Sequence, residues 1–537
     1  MRRFALSLGM LLLGAALLGA AASGSFGAKS GGTFRVSLRA EDFGYIDPAL
    51  APSAGSDPVL GVACGRLLGF PDKPPPAGER LVPDLATGFP RISRNGRTYA
   101  FTVRKDARFS TGARVTAAAF AREINRVLNR SMQSPGADAV ASIVGAADIM
   151  AGKADEASGI RARGNTLTLR LTEPVPDLPA RLSTTFFCAV PPSLPVDPEG
   201  VGGPLPSAAP YYASKYVPGR GVELKRNRFY RGRRAHHVSA FAVELGDDPP
   251  TILTRIERGE VDWGFVPNPI IGPRAGELAA KYGVNKAQFF VKPGASFLRL
   301  FVLNSSRPLF HNNPQLRRAM NFAIDRKALL AAKGGKFTGS ESDQYLIPGV
   351  PGFRDAHIYP LKRPNLRRAR ALAKGHLRDR KAALYVLDNP VAVAQAQIVL
   401  ADLAKIGVRV SIKILPRSAY FPAVANPREP VDIAWYGYTA SDNLDPYNMI
   451  NAVLDPRSPF GVPAHFGVPA YLRLMAKAAR LTGAARYRAY GKLDVELARK
   501  QAPLLPYSYD NQLVLVSKRV GCIVFNPNLD LGAVCLK

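Results

Sequence analysis

Short apolar alternations and amphipathic helical stretches follow one another along this chain, and that pattern restricts it to a mixed α/β fold. Phe34, Val36 and Leu38 alternate with polar residues, as residues do in a strand with one buried face. Between residues 393 and 414, apolar positions first follow helical spacing and then, after Gly407, alternate again. Because glycine commonly ends a helix, this stretch predicts a helix followed directly by a strand. We therefore expect helices packed on sheets.

The length and the apolar content indicate a folded protein of several domains. A chain of 537 residues corresponds to roughly two to four domain-sized units, and a hydrophobic fraction of 47% is ordinary for a soluble protein. After residue 24, Gly, Pro, Arg and Lys interrupt every apolar run before it reaches the roughly 18 to 20 residues that cross a bilayer. The sequence therefore argues against an integral membrane protein, disorder and fibrous repeats.

The N-terminus has the three parts of a secretory signal peptide. In residues 1–22 a basic start precedes an apolar stretch from Phe4 to Leu18, and small residues lead to an expected cleavage after Ala22. An uncleaved anchor helix is the alternative. Residues 23–32 are rich in Gly and Ser, which predicts a flexible tether. Since no cysteine precedes Cys64, we expect no lipid-anchor cysteine and a mature protein that is extracytoplasmic, whether periplasmic, cell-surface or secreted.

The charge balance is strongly basic, with 72 Lys and Arg against 41 Asp and Glu and a net charge of +31. A concentrated charge of that size would favour nucleic acid or an anionic surface as a partner. The basic residues are instead spread along the chain, and pairs such as Arg317-Arg318 and Arg367-Arg368 are short and isolated. No RNA-binding aromatic signature or zinc-finger spacing accompanies them. We interpret the charge as a solvated surface and expect no nucleic-acid partner.

Several blocks of the sequence resemble one known family, in that family's order. From Leu81 to Phe120 the chain has a Pro and Leu-Ala pair, a turn before a Tyr-x-Phe strand, Phe-Ser-x-Gly, and Val-Thr-Ala at the start of a helix. Three further blocks match at Pro210 to Gly232, at Arg258 to Gly264 and at Leu303 to Leu330. Over roughly Gly32 to Leu531 the chain resembles the extracytoplasmic solute-binding proteins of ABC importers, family 5, the oligopeptide, dipeptide and nickel-binding class.

The resemblance implies an α/β, bilobal periplasmic-binding-protein-like class II fold with an extra inserted domain. The two lobes of such a protein close on a ligand like a hinge. Lobe I would be discontinuous, consisting of residues 33–69, 188–296 and 503–537. The inserted domain would comprise residues 70–187, and lobe II residues 297–502.

Four cysteines in an exported protein suggest two disulfides. Cys522 and Cys535 bracket a short segment that contains a turn, so a local bridge between them is the simplest of three connectivities. That choice pairs Cys64 with Cys188. In the family's scheme these two would flank the inserted domain, and their bridge would join its two ends. Four reduced, buried cysteines are the alternative.

The stretch from Ala434 to Ile450 resembles the family segment that contacts the ligand. By that resemblance Asp442 takes the role of the carboxylate that contacts the ligand's α-ammonium group. Trp435 and Tyr438 lie just before it and are further predicted ligand contacts, although Trp435 lies earlier than the family's tryptophan. Tyr45, on the stretch that resembles the family's approach to the cleft, is the fourth. The alternatives are a turn cap for Asp442 and a buried core aromatic for Tyr45.

The resemblance implies binding without catalysis and without a cofactor. Such a protein, acting as a monomer, captures a peptide or similar small solute between its closing lobes and delivers it to an ABC permease complex in the membrane. A nickel-chelate-binding member of the same family and a secreted hydrolase acting on peptides or glycans are the alternatives. The sequence has no HExxH motif and no Gly-x-Ser-x-Gly elbow. Adjacent His236 and His237 would point in opposite directions in a strand, so they are a poor metal chelate.

Overall fold

The computed structural model describes residues 30–50, 55–74, 77–439, 444–458, 462–525 and 528–537. Over these residues the chain forms a five-stranded, a six-stranded and a four-stranded sheet, together with two two-stranded ribbons. Helices pack against the sheets, so the predicted α/β class is confirmed. No helix within these ranges is long and apolar enough to cross a membrane.

The elements are numbered in chain order over the described residues. The strands are β1 (Thr33–Leu38), β2 (Leu68–Gly69), β3 (Val82–Pro83), β4 (Arg91–Ile92), β5 (Thr98–Thr102), β6 (Ile160–Arg163), β7 (Thr166–Arg170), β8 (Tyr211–Val217), β9 (Gly221–Arg226), β10 (Ala240–Leu245), β11 (Trp263–Gly264), β12 (Phe289–Leu303), β13 (Gly339–Glu341), β14 (Lys381–Leu387), β15 (Arg409–Leu415), β16 (Ile433–Thr439), β17 (Leu504–Leu515), β18 (Val520–Cys522) and β19 (Cys535–Leu536). The α-helices are α1 (Ala40–Phe43), α2 (Ser56–Val62), α3 (Ala117–Leu128), α4 (Ala137–Val140), α5 (Ala146–Met150), α6 (Leu178–Arg181), α7 (Pro249–Arg258), α8 (Asn268–Tyr282), α9 (Pro314–Ala323), α10 (Arg326–Ala331), α11 (Leu366–Ala373), α12 (Pro390–Ala404), α13 (Arg417–Ala425), α14 (Pro446–Leu454), α15 (Pro469–Arg480) and α16 (Gly483–Glu496).

The five-stranded sheet has the order β11-β1-β10-β9-β8. β1 runs parallel to β10 and β11, whereas β9 is antiparallel to β10 and β8. Phe34, Val36 and Leu38 are fully buried on β1, which confirms the strand that their alternation predicts. Residues near the C-terminus, among them Leu531 and Leu536, pack into the same core.

The four-stranded sheet is antiparallel, in the order β4-β5-β7-β6. Helix α3 packs on it, and the buried side chains of Phe120, Ile124 and Val127 share one core with Tyr99 and Phe101 of β5. All four strands lie within about eighty residues of chain, so this sheet is built from local pairings.

A buried ion cluster joins α3 to the first part of the chain. Arg126 donates from Nη1 to Asp47 and Glu123, from Nη2 to Asp47 and from Nε to the carbonyl oxygen of Pro195. None of the three ionisable side chains is exposed. Burial raises the pKa of Glu123 to about 8, and the charge of Arg126 offsets only part of that effect. One guanidinium therefore binds two carboxyl groups.

The six-stranded sheet is mixed, in the order β13-β17-β12-β16-β14-β15. β14 runs parallel to β15 and β16, while β12 is antiparallel to β16 and β17. Helices α9 and α12 pack on one face of this sheet, and α14, α15 and α16 pack on the other. The helix and strand predicted around Gly407 are α12 and β15, and Gly407 itself has a φ of +90°.

Strands β12 and β17 connect the two halves of the molecule. One half contains the five-stranded and four-stranded sheets, and the other contains the six-stranded sheet. They pair with each other, with a register shift between Lys292 and Phe297. On one side of the shift Phe289 and Leu515 pack with α7 and α8, whereas on the other side Phe301 belongs to the core of the six-stranded sheet. The chain thus passes between the halves on two adjacent strands. The domain boundaries predicted near residues 297 and 503 lie on or beside these strands and stay predictions.

The four cysteines form two disulfides, Cys64–Cys188 and Cys522–Cys535, with Cα–Cα distances of 5.1 and 5.0 Å. This is the pairing that the sequence predicts. The first disulfide joins segments that precede and follow the four-stranded sheet along the chain. The second links the paired strands β18 and β19 near the C-terminus.

Candidate functional site

A cavity of about 420 Å³ lies between the five-stranded and six-stranded sheets. Its volume falls within the range of about 300 to 1,000 Å³ that is usual for small-molecule sites. The polar residues that line it are Asp57, Arg66, Asp72, Ser183, Thr184, Thr185, Arg234, Asn268, Arg299, Asn511, Gln512, Asn528 and Asp530. Its aromatic residues are Phe70, Phe186, Trp263, Phe265 and Phe297. Both halves of the molecule therefore contribute to one partly apolar cavity.

Arg299 is the main cation on the wall formed by β12 and β17. Its Nε donates to Asp510 Oδ2 at 2.7 Å, and its guanidinium carbon lies 5.1 Å from the ring centre of Phe297 and 5.4 Å from that of Trp435. Gly437 lies opposite Arg299 in the sheet. A Cβ at that glycine would come within 2.9 Å of Arg299 Nη1. The glycine therefore leaves room for the guanidinium between the two rings.

The local charge around Arg299 is positive. Asp510 also pairs with Lys333, which is buried, so one carboxylate faces two cations. Burial favours a higher pKa for Asp510, but the charges of Lys333 and Arg299 outweigh it and hold that pKa below its ordinary value. No described residue accepts a hydrogen bond from Nη1 or Nη2 of Arg299. These donors are free to bind an anion in the cavity.

The rest of the lining adds one unused donor and one unused acceptor. Arg66 donates from Nη1 to the carbonyl oxygen of Ser183 at 3.0 Å, whereas its buried Nε has no partner in the described part of the chain. The buried Oε1 of Gln512 also has no donor among the described residues. Burial, with the neighbouring charge of Asp530, raises the pKa of Asp72 to about 7. Buried polar atoms without partners are uncommon, and both of these belong to residues that line the cavity.

Trp435 is a core residue in this structure. It is 6% exposed, and its Nε1 donates to Gln395 Oε1 at 2.8 Å, the same oxygen that accepts from the Tyr507 hydroxyl. The ring forms part of the packing between β16 and α12. Its link to the cavity is its contact with Arg299.

The other predicted contacts have different placements. Asp442 lies outside the described residues. Tyr438 lies in β16 opposite Leu298 of β12, one residue along from the pair formed by Arg299 and Gly437. Tyr45 is 40% exposed and does not line this cavity. The fold thus brings Trp435 and Tyr438 to the strand beside Arg299, whereas Tyr45 lies apart.

Sequence reasoning missed Arg299. Leu298, Leu300 and Val302 are buried on β12, so Arg299 is the one charged residue of the apolar stretch 297–303. A lone cation in that apolar stretch was the available signal. The sequence alone does not show that Asp510 holds it from another strand.

A second contact between the halves is a largely buried group of charged side chains. Arg486, near the start of α16, binds Asp445 bidentately at 2.7 and 3.1 Å and lies 3.6 Å from Asp177. Asp177 in turn accepts from Arg181 at 2.8 Å, and the guanidinium of Arg181 lies 4.8 Å from the ring centre of Tyr447. Burial raises the pKa of Asp445 despite its bonds to Arg486. These bonds hold the region of the four-stranded sheet against α14 and α16.

Comparison with known proteins agrees with this architecture. The peptide transport periplasmic protein SapA of Salmonella typhimurium is 24% identical over 488 residues, covering 84% of this chain and 83% of that protein. The probable deoxycholate-binding periplasmic protein YgiS of Escherichia coli is 25% identical over 452 residues, covering 80% of each chain.

Solved structures show the same fold. The clavulanic acid biosynthesis oligopeptide binding protein 2 superposes with a TM-score of 0.84 at 22% identity, covering 95% of this chain and 96% of the other. The Haemophilus influenzae OppA complex with RPPGFSPFR gives 0.72 at 18% identity, covering 95% and 100%. The sequence model described as bacterial extracellular solute-binding proteins, family 5 Middle, matches residues 80–459. This chain therefore belongs to the family 5 solute-binding proteins and has their bilobal class II fold with an extra inserted domain.

Proposed function

We propose that this chain is the extracytoplasmic substrate-binding component of an ABC import system, which captures a peptide or similar small solute between two closing lobes and delivers it to a membrane permease. Family 5 solute-binding proteins are transport binding proteins rather than enzymes. The observation that carries the proposal is the cavity between the two large sheets, to which both halves of the molecule contribute polar and aromatic side chains.

The chemistry of the cavity suits a solute that carries a carboxylate and apolar groups. Arg299 offers two parallel donors between aromatic rings, which is the geometry that binds a carboxylate bidentately. Peptides have such a group at their C-terminus. Deoxycholate, for which the relative YgiS is named, has one as well. We propose Asp442, by its family resemblance, as the partner of a peptide's α-ammonium group.

Closure would take place about β12 and β17. A register shift interrupts their pairing between Lys292 and Phe297, where the chain leaves one half for the other, and hinges are commonly a few such residues. On closure Arg486, which Asp445 of the same half holds, would contact Asp177 of the other half. Because water leaves the cavity, a charge on the solute and a charge on the protein attract each other more strongly than in bulk solvent.

The test is to purify the exported chain, denature it and identify the released solute by mass spectrometry. We expect a chemically unchanged solute that rebinds the refolded protein in calorimetry and raises its melting temperature, since a ligand stabilises the state that binds it. Release of a nickel chelate would instead support that alternative within the family. Turnover of the recovered solute by the pure protein would contradict the proposal in favour of a hydrolase.

A further inference from the structure

One outer surface of the six-stranded half carries an unusual density of cations. Residues 361–381 contain nine Lys or Arg and a single acid, Asp379. All nine basic side chains are exposed. With Lys405 and Arg409 they form what we term the basic face: Lys362, Arg363, Arg367, Arg368, Arg370, Lys374, Arg378, Arg380, Lys381, Lys405 and Arg409.

The fold joins the two segments of the basic face. Arg370 on α11 donates from Nε to the carbonyl oxygen of Lys405, at the end of α12, at 3.0 Å. The backbone N–H of Arg409, at the start of β15, donates to the carbonyl oxygen of Arg380 at 2.6 Å. Arg378, Arg380 and Arg409 also line one shallow depression. Arginines that form short, isolated groups in the sequence are therefore neighbours in space.

These cations are mostly uncompensated. Within the described residues, Lys405 is the only member of the basic face with an ion-pair partner, Asp402 at 2.7 Å. Half-buried arginines elsewhere are paired: Arg274 contacts two glutamates, and Arg255 contacts three carboxylates. Asp379 and Asp402 are the acids that accompany these eleven cations in the two segments, so a positive potential remains over this face.

The basic face lies away from the cavity. β15 is the outer strand of the sheet, and β14 and β16 separate it from β12, which lines the cavity. A partner bound there would leave the cavity uncovered.

We propose that the basic face binds the anionic headgroup surface of a lipid bilayer. The cations lie on a helix, a loop and the starts of two strands, around a shallow depression and not in a groove. This arrangement suits a broad, fluid surface that carries many negative charges. Residues 361–381 include no Phe, Tyr or Trp on which nucleic-acid bases could stack. Clusters of basic residues are attracted to anionic lipid in proportion to their number. This contact would keep an exported binding protein close to the membrane.

The test is sedimentation of the mature chain, without residues 1–22, with vesicles of phosphatidylcholine alone or with about one third phosphatidylglycerol. The variant of the basic face is Arg363→Gln with Arg367→Gln, Lys374→Gln and Arg380→Gln. The control removes the same charge from exposed cations elsewhere, with Lys153→Gln, Arg220→Gln, Lys286→Gln and Lys518→Gln. None of these eight side chains has a hydrogen bond or ion pair in the described structure, so both variants should fold.

We expect the wild type to bind the anionic vesicles, to lose affinity as salt is raised, and to bind phosphatidylcholine at least tenfold more weakly. The basic-face variant should lose at least tenfold in affinity for anionic vesicles, and the control less than threefold. Equal losses in the two variants would overturn the proposal, because net charge alone would then explain binding. Failure of the wild type to bind anionic vesicles at low salt, or tighter binding to a single-stranded DNA oligomer in the same buffer, would also overturn it.

Discussion

The ion clusters around Arg126 and Asp510 have opposite compositions. At Arg126 one guanidinium meets two carboxyl groups, and all three of its nitrogens donate to protein acceptors. At Asp510 one carboxylate meets two cations, and Arg299 donates to protein through Nε alone. An excess of carboxyl groups can be relieved by a proton, as the pKa of about 8 at Glu123 indicates. Burial lowers the pKa of Lys333, so this lysine can lose a proton, whereas the guanidinium of Arg299 keeps its charge and is neutralised by an anion. In the first cluster every guanidinium nitrogen has a protein acceptor, whereas in the second two guanidinium nitrogens remain for a ligand.

The largest expected effect is the loss of stability in Arg126→Met. The substitution leaves Asp47 and Glu123 buried without a cation, and breaking a buried ion pair in this way typically costs about 3 to 5 kcal/mol. Equilibrium urea unfolding measures the change. The matched variant Arg299→Met leaves Asp510 paired with Lys333, so its unfolding free energy should fall by less than about 2 kcal/mol. Equal losses in the two variants would remove the distinction between the clusters.

Arg299→Gln should affect binding instead of folding. If the solute carries a carboxylate bound by Arg299, we expect its affinity to fall about a hundredfold, or about 2.8 kcal/mol. Calorimetry with the recovered solute measures the loss, and its amide or ester is the control because it lacks the charge. The amide should bind the wild type weakly and lose little further in the variant. If acid and amide lose affinity equally, Arg299 shapes the cavity without binding the anion.

Asp442→Asn tests the other end of a peptide ligand. Removing one partner of a charge pair in a closed cleft typically costs about 2 to 5 kcal/mol, so a free-amine peptide should bind at least about thirtyfold more weakly. An N-acetylated version of the same peptide should bind the wild type poorly and lose little in the variant. Calorimetry on these four combinations measures the coupling. A uniform loss would mean that Asp442 holds its loop and does not contact the ligand.

The smallest effect, counted per pH unit, concerns Glu123. Its pKa is raised from 4.5 to about 8 in the folded protein, chiefly by burial. Between about pH 5 and 8 the folded state holds a proton that the unfolded chain releases, so this stabilising contribution is lost as the pH rises. The slope is at most about 1.4 kcal/mol per pH unit. Glu123→Gln removes this pH dependence, whereas Asp72 and Asp494, whose pKa values burial also raises to about 7, contribute equally to the wild type and the variant. Urea unfolding at pH 5, 6, 7 and 8 gives both slopes, and parallel curves would contradict the assignment.

The parts of the fold that the sequence predicted rest on short-range patterns. The alternation at Phe34, Val36 and Leu38 gives β1, and Gly407 separates α12 from β15, because periodicity and a left-handed glycine act over a few residues. The disulfides followed from cysteine count and one nearby turn.

The site and the basic face depend on pairings between distant residues. Gly437 makes room for Arg299 and Asp510 accepts its hydrogen bond, and both contacts depend on the register in which β12 pairs with β16 and β17. The basic face forms only when Arg380 and Arg409 become neighbours. Periodicity does not encode register between strands far apart in sequence, so these features became visible only in the folded structure.

The packing of Leu536 into the same core as Phe34 and Val36 has a consequence for biosynthesis. During translation the first strand emerges long before its last core partner, so the five-stranded half stays incomplete until Leu536 has been made. The four-stranded sheet can form much earlier, because its strands lie close together in sequence. A nascent or prematurely terminated chain therefore exposes the apolar face of β1 while another part of it is already folded. Such exposed surface is a target for chaperones and proteases and a source of aggregation.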